Sequence, residues 1–278
     1  MTGQRRTITS LQNDTVKLVR SLEMRKVRRD TGLFLAEGAS VLITARDHGW
    51  TPKIFISGPG TVDNAAIRDL ADWAHGAGAD HLDVNSAVLE KLAAKDNPQS
   101  VMAVFEQRWL SLEAIEGDAG NVGPAIARQS PLWVVLEEIR DPGNLGTILR
   151  TADAAGATGV LLVGNTCDPY SREAVRASMG SVFAMPIGRG DLAGFSAIAG
   201  SWAGEIVGTS LLGAADYRDG AYRAPVMLVM GNEGRGISDE AAALCNRLVR
   251  IPMMGQLDSL NLAVATGLML YEIRRPVL

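Results

Sequence analysis

The chain contains only two cysteines, Cys167 and Cys245, in its 278 residues. They lie far apart and form no C-x-x-C pair, so the sequence predicts neither a disulfide framework nor a zinc site. The three histidines, His48, His75 and His81, show no metal-ligand spacing with each other or with the cysteines. We therefore expect no protein-bound metal.

Long apolar runs are also missing. The N-terminus has no apolar segment of the kind found in signal peptides, and the longest apolar stretches are interrupted before the ~18–20 residues that cross a bilayer. We therefore expect a soluble, cytoplasmic protein without a membrane partner. Hydrophobic residues make up 47% of the chain and charged residues 21%, which is enough apolar material for a packed core. The net charge of −4 argues against a polybasic protein that coats nucleic acid.

A local basic cluster exists nevertheless. Residues 1–30 carry a net charge of +5 within a chain whose total is −4. The spacing of Val16, Val19, Met24 and Val27 is compatible with one amphipathic helix that has a basic face. Such a face is either a solvated surface or a contact for nucleic-acid phosphates. The candidate phosphate-binding residues are Arg25, Lys26, Arg28 and Arg29.

Strand and helix patterns alternate along most of the chain. Residues 1–107 predict a small α/β domain, and residues 108–130, rich in Gly, Pro, Asn and Ala, predict a linker with at most one helical turn. Residues 131–278 predict a parallel sheet with helices on both faces. One of the predicted strands is Val182–Pro186.

Polar side chains follow the first strand of the second predicted domain, Leu132–Leu136. Asn144 starts a predicted helix, and Arg150 follows six residues later. Six residues advance a helix by about 9 Å and bring the two side chains within roughly 120° of each other, so both can border one cleft. Alternatively, Asn144 is a helix N-cap and Arg150 pairs with Asp153.

Two further loops have the same placement. The strand Val226–Met230 is followed by G-N-E-G-R-G, which is neither a Walker loop nor a dinucleotide fingerprint, and Glu233 within it can bind a sugar hydroxyl or an arginine. The strand Leu248–Ile251 is followed by a loop, Ile251–Asn261, that precedes a predicted helix. Ser259 or Asp258 in this loop can also be a simple N-cap.

All three loops follow strands of one predicted parallel sheet. Because the carboxyl ends of parallel strands meet at one edge, where open α/β sheets bind ligands, the three loops are expected to form one site.

The three loops together carry a resemblance. The segments N-L-G-T-I-L-R-T-A (144–152), V-M-G-N-E-G-R-G-I (229–237) and I-P-M-M-G-Q-L-D-S-L-N-L-A-V-A (251–265) resemble, in order and spacing, the three motifs of the SpoU/TrmH family of RNA ribose 2′-O-methyltransferases. The first hundred residues, with S-L-Q-N and F-L-A-E-G, resemble the L30e-like RNA-binding domain of the ribosomal-RNA branch of that family.

The resemblance implies a SPOUT fold with a trefoil knot, a homodimer, and transfer of methyl from S-adenosylmethionine to a ribose 2′-hydroxyl, most simply in ribosomal RNA. The residues alone predict an ordinary doubly wound sheet, so the knot rests on the resemblance. Two alternatives stay open, which are a transfer-RNA enzyme of the same family and a non-catalytic RNA-binding protein that keeps the fold.

The resemblance also assigns residues. The motif positions that imply catalytic roles are Asn144, Arg150, Glu233, Ser259 and Asn261, and those that imply cofactor binding are Thr209, Gly231, Ile251 and Leu260. Because a guanidinium stays protonated, Arg150 is expected to bind the hydroxyl or its phosphate and stabilise negative charge. Asn144 and Asn261 are expected to orient Arg150 and the ribose, Glu233 to hold the other donors of Arg150, and Ser259 to contact substrate or cofactor.

Overall fold

The computed structural model describes residues 3–61, 63–93, 99–118, 120, 130–210 and 215–278. By its internal contacts the chain forms two compact units. The first comprises Met1–Gln107 and Asp168–Ala184, and the second comprises Arg108–Cys167 and Met185–Leu278. Residues 168–184, which the sequence places in the second domain, thus group with the first unit.

The helices and strands of the described residues follow one another in a largely alternating order. They are β1 (Arg5–Ile8), α1 (Asp14–Ser21), α2 (Arg25–Thr31), β2 (Leu33–Glu37), α3 (Ala39–Asp47), β3 (Ile54–Ser57), α4 (Ala65–Gly76), β4 (Asp80–Val84), α5 (Ser86–Ala93), β5 (Val101–Glu106), α6 (Leu112–Glu116), β6 (Leu132–Glu137), α7 (Pro142–Ala154), β7 (Gly159–Val163), α8 (Arg172–Ala177), α9 (Ser181–Ala184), β8 (Ile187–Gly190), α10 (Leu192–Ser201), β9 (Glu205–Thr209), β10 (Ala215–Asp216), β11 (Val226–Met230), α11 (Asp239–Leu244), β12 (Arg247–Arg250) and α12 (Leu262–Arg274), with a final 3₁₀ turn at Arg275–Val277.

The first unit is built on a mixed five-stranded sheet in the order β1-β4-β3-β5-β2. Its core includes an aromatic cluster to which the segment 168–184 contributes. The ring of Phe34 lies 4.6 Å from that of Tyr170 and 5.7 Å from that of Phe183, measured between centroids. Trp50 Nε1 donates a 2.8 Å hydrogen bond to the carbonyl of Phe183. The segment 168–184 therefore completes the core of this unit.

The single basic helix predicted near the N-terminus is wrong, because two helices, α1 and α2, occupy that stretch. The break leaves the carbonyl groups of Leu22 and Glu23 without the partners that a continuous helix would supply. The Arg28 guanidinium supplies the missing donors, and its Nη1 donates to each of the two carbonyls at 2.8 Å.

The predicted strand Val182–Pro186 is also wrong. The run forms the short helix α9, and the strand begins only at Ile187. A short buried apolar run fits a helix and a strand equally well, and Pro186 has no N–H for a sheet ladder.

The second unit confirms the predicted parallel sheet. Its seven strands are all parallel, in the order β10-β12-β9-β11-β6-β7-β8. Strands β6, β7 and β11 are buried along their whole length, as expected for a sheet covered on both faces. The carboxyl ends of all seven strands consequently lie at one edge.

The first part of the predicted linker belongs to this unit. Leu110 donates its N–H to the carbonyl of Ile187 at 2.9 Å, Ile115 in α6 is fully buried, and Trp133 Nε1 donates to the Asp118 carboxylate at 3.0 Å. Residues 119 and 121–129 of the predicted linker lie outside the described residues.

Among the described residues, no helix is both long enough and apolar enough to cross a membrane.

Candidate active site

The three motif loops meet at the carboxyl edge of the seven-stranded sheet, where they border a cleft of about 380 Å³. This volume lies within the usual range for small-molecule pockets. The cleft is lined by Arg140, Asp141, Asn144, Asn232, Glu233, Leu260, Asn261 and Leu262. Every motif loop contributes at least one of these residues, so the three loops meet at one edge of the sheet, as the strand ends predict.

Helix α7 presents Asn144 to the cleft. The N-cap of the helix is Asp141, whose carboxylate accepts the Asn144 N–H at 2.8 Å, and Pro142 occupies the first helical position. The alternative that Asn144 is the N-cap is therefore wrong. The side chain of Asn144 does not cap the helix and faces the third motif.

Asn261 links the third motif to the first. It is the N-cap of α12, and its Oδ1 accepts the N–H groups of Ala263 at 2.9 Å and Val264 at 3.3 Å. Its Nδ2 donates a 2.9 Å hydrogen bond to Asn144 Oδ1. The prediction that Ser259 or Asp258 caps this helix is wrong, because α12 begins only at Leu262.

The orientation of both amides follows from this geometry. The helix cap requires Asn261 Oδ1 as an acceptor, so Asn261 Nδ2 is the atom that donates to Asn144. Asn144 must then accept through its oxygen, so its own amide nitrogen remains a donor for a ligand in the cleft.

The second motif braces the loop that precedes α7. The Glu233 carboxylate accepts the backbone N–H groups of Arg140 at 3.2 Å and Asp141 at 3.1 Å. Asn232 Nδ2 donates to the carbonyl of Glu138 at 3.0 Å. The expectation that Glu233 holds the donors of Arg150 is not met, since Glu233 binds backbone instead.

Gly231 sits where the second motif folds back on itself. A Cβ atom at this position would lie 2.0 Å from the carbonyl carbon of Gly236, so no other residue fits without moving backbone. Gly236 has a left-handed φ of 72°, which glycine adopts without strain. Thr209, at the end of the neighbouring strand β9, donates its hydroxyl to Met230 Sδ at 3.5 Å.

Two predicted catalytic residues do not line the cleft. Arg150 is exposed on α7, and its side chain has no hydrogen bond or ion pair with the residues that the structure describes. Ser259 is also exposed, and its hydroxyl donates to the Asp258 carboxylate at 3.5 Å. Ile251 is half-buried at the start of the same loop.

The loop between β12 and α12 carries apolar side chains in solvent. The exposed fractions are 97% for Met254, 77% for Leu257 and 39% for Leu260. Apolar groups exposed together beside a cleft indicate a surface that a ligand or another chain covers.

Arg140, Asp141 and Asn232 were missed by the sequence analysis, although they line the cleft. A signal existed for Asp141, because an aspartate directly before a proline is typical of an N-cap followed by the first helical residue. No comparable signal marks Arg140.

The basic residues of the first unit divide into two groups. Arg25, Lys26 and Arg29 are exposed. Arg28 is only 4% exposed, and its Nε lies 2.7 Å from the Asp168 carboxylate. The structure thus contradicts an RNA-binding role for Arg28, because its guanidinium is bound to the Asp168 carboxylate and to the carbonyls of Leu22 and Glu23.

Among the described residues, no group of three or more His, Cys, Asp or Glu side chains is placed to hold a metal ion.

Comparison with known proteins decides the family. Residues 131–271 match the SpoU rRNA Methylase family, and residues 13–103 match the MRM3-like substrate binding domain. The chain belongs to the SpoU rRNA methylase family. The prediction made from the three motifs is confirmed.

Two relatives are similar over most of the length of both chains. The chain is 31% identical to a 23S rRNA (uridine(2479)-2′-O)-methyltransferase from Streptomyces viridochromogenes, over 90% of this chain and 85% of that protein. It is 30% identical to the 23S rRNA (guanosine(2553)-2′-O)-methyltransferase RlmP from Bacillus subtilis, over 96% of this chain and 98% of that protein.

Solved structures agree. An AdoMet-bound rRNA methyltransferase from Sinorhizobium meliloti is 43% identical and superposes with a TM-score of 0.89, covering 99% of this chain and 100% of that one. The cleft of this SpoU family member thus lies in a fold shared along the whole chain.

Proposed function

We propose that this protein transfers a methyl group from S-adenosylmethionine to a ribose 2′-hydroxyl of ribosomal RNA. The observation that carries the proposal is the hydrogen bond between Asn261 and Asn144 at the cleft. It joins the first and third family motifs and leaves the Asn144 amide nitrogen as a donor for a ribose oxygen. The match to a substrate-binding domain in residues 13–103 supports RNA as the substrate.

The residues present fit the cofactor. Its adenine ring is flat, with faces that pack on apolar groups, and the exposed side chains of Met254 and Leu257 offer an apolar surface beside the cleft. At Gly231 the second motif loop packs tightly against the backbone of Gly236, which fixes the shape of this loop beside the cleft. The residues that would hold the cofactor are Thr209, Gly231, Ile251 and Leu260. When bound, the cofactor supplies a methyl group on a positively charged sulfur.

The side chains of the chain itself place and activate the ribose. For the cofactor's methyl group to pass from sulfur to the 2′-oxygen, that oxygen would have to be positioned, lose its proton and have its developing negative charge stabilised. Asn144 and Asn261 orient the ribose at the cleft. Arg150 lies outside the cleft lining, and its proposed role is to stabilise the developing charge without acting as a base. Glu233 acts indirectly, by fixing the loop Arg140–Asp141, and Ser259 contacts substrate or cofactor.

We also propose that the protein acts as a homodimer. Helix α12 leaves a row of apolar side chains in solvent, with exposed fractions of 53% for Val264, 39% for Leu268 and 45% for Tyr271. Their spacing places them on one face of the helix. A second copy packed on this face would remove it from water, and light scattering should give twice the monomer mass.

The trefoil knot expected of a SPOUT fold belongs to the same proposal. It is supported by the packing of α12 back onto α7, where the Arg274 guanidinium donates to the carbonyls of Gly156 at 2.7 Å and Ser130 at 3.0 Å. As an enzyme of ribosomal RNA the protein would act in the cytoplasm.

A transfer assay tests the function. The protein is incubated with S-adenosylmethionine labelled with tritium in its methyl group, and with ribosomal or transfer RNA from cells that lack the protein. We expect label in ribosomal RNA, and mapping of 2′-O-methyl positions should find one that is absent in those cells. Label in transfer RNA alone would reassign the substrate, and no label in either RNA would leave a non-catalytic RNA-binding protein.

A further inference from the structure

A carboxylate at the rim of the cleft is shared by two arginines. Glu138 Oε2 lies 2.7 Å from Arg235 Nη2 and 3.5 Å from Arg140 Nη2. Arg140 lines the cleft, and Arg235 belongs to the second motif loop. The two guanidinium groups are therefore close enough to contact a single oxygen atom beside the site.

The position of Glu138 is built into the fold. Its φ of 50° lies in the left-handed region, which a residue with a Cβ seldom adopts. Its N–H donates to the carbonyl of Val163 at 3.0 Å, and its carbonyl accepts from Asn232 Nδ2 at 3.0 Å. Strained residues of this kind concentrate at functional sites, where the surrounding structure holds them in place.

The other two carboxylates at the rim are already used. Glu233 accepts two backbone N–H groups, and Asp141 caps α7. Within the described part of the chain, neither is paired with a guanidinium, and Glu138 is the carboxylate that balances Arg140 and Arg235.

The ion pairs of Glu138 with Arg140 and Arg235 are easily broken. The side chains of Arg140 and Arg235 are 50% and 74% exposed, and exposed ion pairs of this kind are weak. A phosphate offers several charged oxygens and accepts paired hydrogen bonds from guanidinium groups. It can therefore replace the single carboxylate oxygen of Glu138.

We propose that Arg140 and Arg235 together bind a phosphate of the RNA backbone at the rim of the cleft, and that Glu138 holds the two guanidinium groups in place until RNA binds. This inference rests on the proposed function, because it takes RNA as the substrate. It places a phosphate contact on the second unit, in addition to the contacts expected for the exposed Arg25, Lys26 and Arg29 of the first unit.

The salt dependence of RNA binding tests the inference. Affinity of a single-stranded RNA substrate is measured over a range of salt concentrations for Arg140→Ala, Arg235→Ala and Glu138→Gln. Each lost phosphate contact should reduce the slope of log affinity against log salt by about 0.7. The two arginine variants should bind RNA more weakly than the wild type. Glu138→Gln should bind RNA more tightly, because the negative charge that competes with the phosphate is removed.

Arg218→Ala is the matched control. Arg218 is 57% exposed and pairs with Asp216 at 2.7 Å, but it does not line the cleft, and its removal should leave the slope unchanged. Slopes for Arg140→Ala and Arg235→Ala equal to that of Arg218→Ala would overturn the inference.

Calorimetry with S-adenosylmethionine tests whether the arginine pair binds the cofactor and not an RNA phosphate. The cofactor also carries a carboxylate, and loss of cofactor affinity in Arg140→Ala and Arg235→Ala with an unchanged RNA slope would assign the arginine pair to the cofactor and overturn the inference. If wild-type protein transfers methyl to RNA while the slopes do not change, only this inference fails. If wild-type protein neither binds nor methylates RNA, the proposed function fails with it.

Discussion

The side-chain amide of Asn261 donates a 2.9 Å hydrogen bond to the side-chain oxygen of Asn144, across 117 positions of sequence. The same Asn261 caps α12 through its oxygen. One residue thus starts the last helix and fixes the donor that faces the cleft, so stability and activity can be separated by substitution.

Asn261→Asp should reduce activity and leave stability nearly unchanged. A carboxylate oxygen still accepts the N–H groups of α12, so the unfolding midpoint should stay near that of the wild type. The hydrogen bond to Asn144 Oδ1 is lost because a carboxylate has no donor, and kcat should fall. Asn261→Ala loses the cap as well and should lower the free energy of unfolding by about 1 kcal/mol. Urea unfolding and methyl-transfer rates check both, and an Asn261→Asp protein with wild-type kcat contradicts the role of the pair.

Glu233→Gln tests the bracing of the loop before α7. Glutamine replaces one of the two carboxylate oxygens by an NH2 group, which cannot accept and would face the N–H of Arg140 or Asp141. We expect kcat/KM for RNA to fall by roughly tenfold to a hundredfold, because small displacements of catalytic groups are costly. The control is Glu240→Gln, an exposed carboxylate outside the cleft. Equal rates for the two variants would show that the brace is not needed.

Arg150→Ala should reduce kcat by about 10²–10³, the usual loss when one group that stabilises transition-state charge is removed. Its stability should be unchanged, because the exposed side chain has no partner among the described residues. Arg150→Lys should not restore the rate if two donors of the guanidinium are used. Single-turnover methyl transfer is the measurement, and an alanine variant with near wild-type kcat rejects the assignment.

The basic residues of α2 should respond in two ways. Replacing Arg25, Lys26 and Arg29 with alanine should flatten the salt dependence of RNA binding and leave the fold intact. Arg28→Ala should instead destabilise the first unit by about 3–5 kcal/mol, because it leaves the Asp168 carboxylate, which is 12% exposed, without its cationic partner. Thermal unfolding and RNA titration distinguish the two, and a triple variant with an unchanged salt slope would make this face a solvated surface.

The first unit should lose stability in mild acid. Burial lowers the pKa of His81 below its usual 6.5, and the nearby Arg5 charge acts in the same direction, against the attraction of Asp83. The unfolded chain therefore binds the proton first as pH falls. Stability contributed by neutral His81 is present above pH 6.5 and declines below it until the folded pKa is passed. Urea unfolding followed by tryptophan fluorescence from about pH 8 to pH 5 measures this, and His81→Gln should flatten the profile. An identical profile in that variant would locate the effect elsewhere.

Much of the fold could be predicted from local patterns. Continuous apolar runs such as Leu132–Leu136 and Val226–Met230 predict strands buried on both faces, and their alternation with helices predicts a parallel sheet. The errors occur where local signals are ambiguous. The apolar run Val182–Pro186 fits two structures, and a basic stretch with helical spacing conceals the break that Arg28 stabilises.

The sequence by itself determined the family motifs and the edge of the sheet where they meet. Strand ends in a parallel sheet share one direction, so Asn144, Glu233 and Asn261 had to lie near one another. Only the tertiary structure decided which atoms touch. A hydrogen bond depends on positions to within a few tenths of an ångström, and these are set by the packing of elements far apart in sequence. Because of this packing, Glu233 accepts backbone N–H groups and does not bind Arg150. The guanidinium of Arg28 is directed into the protein, and Arg140 and Arg235 both lie beside Glu138.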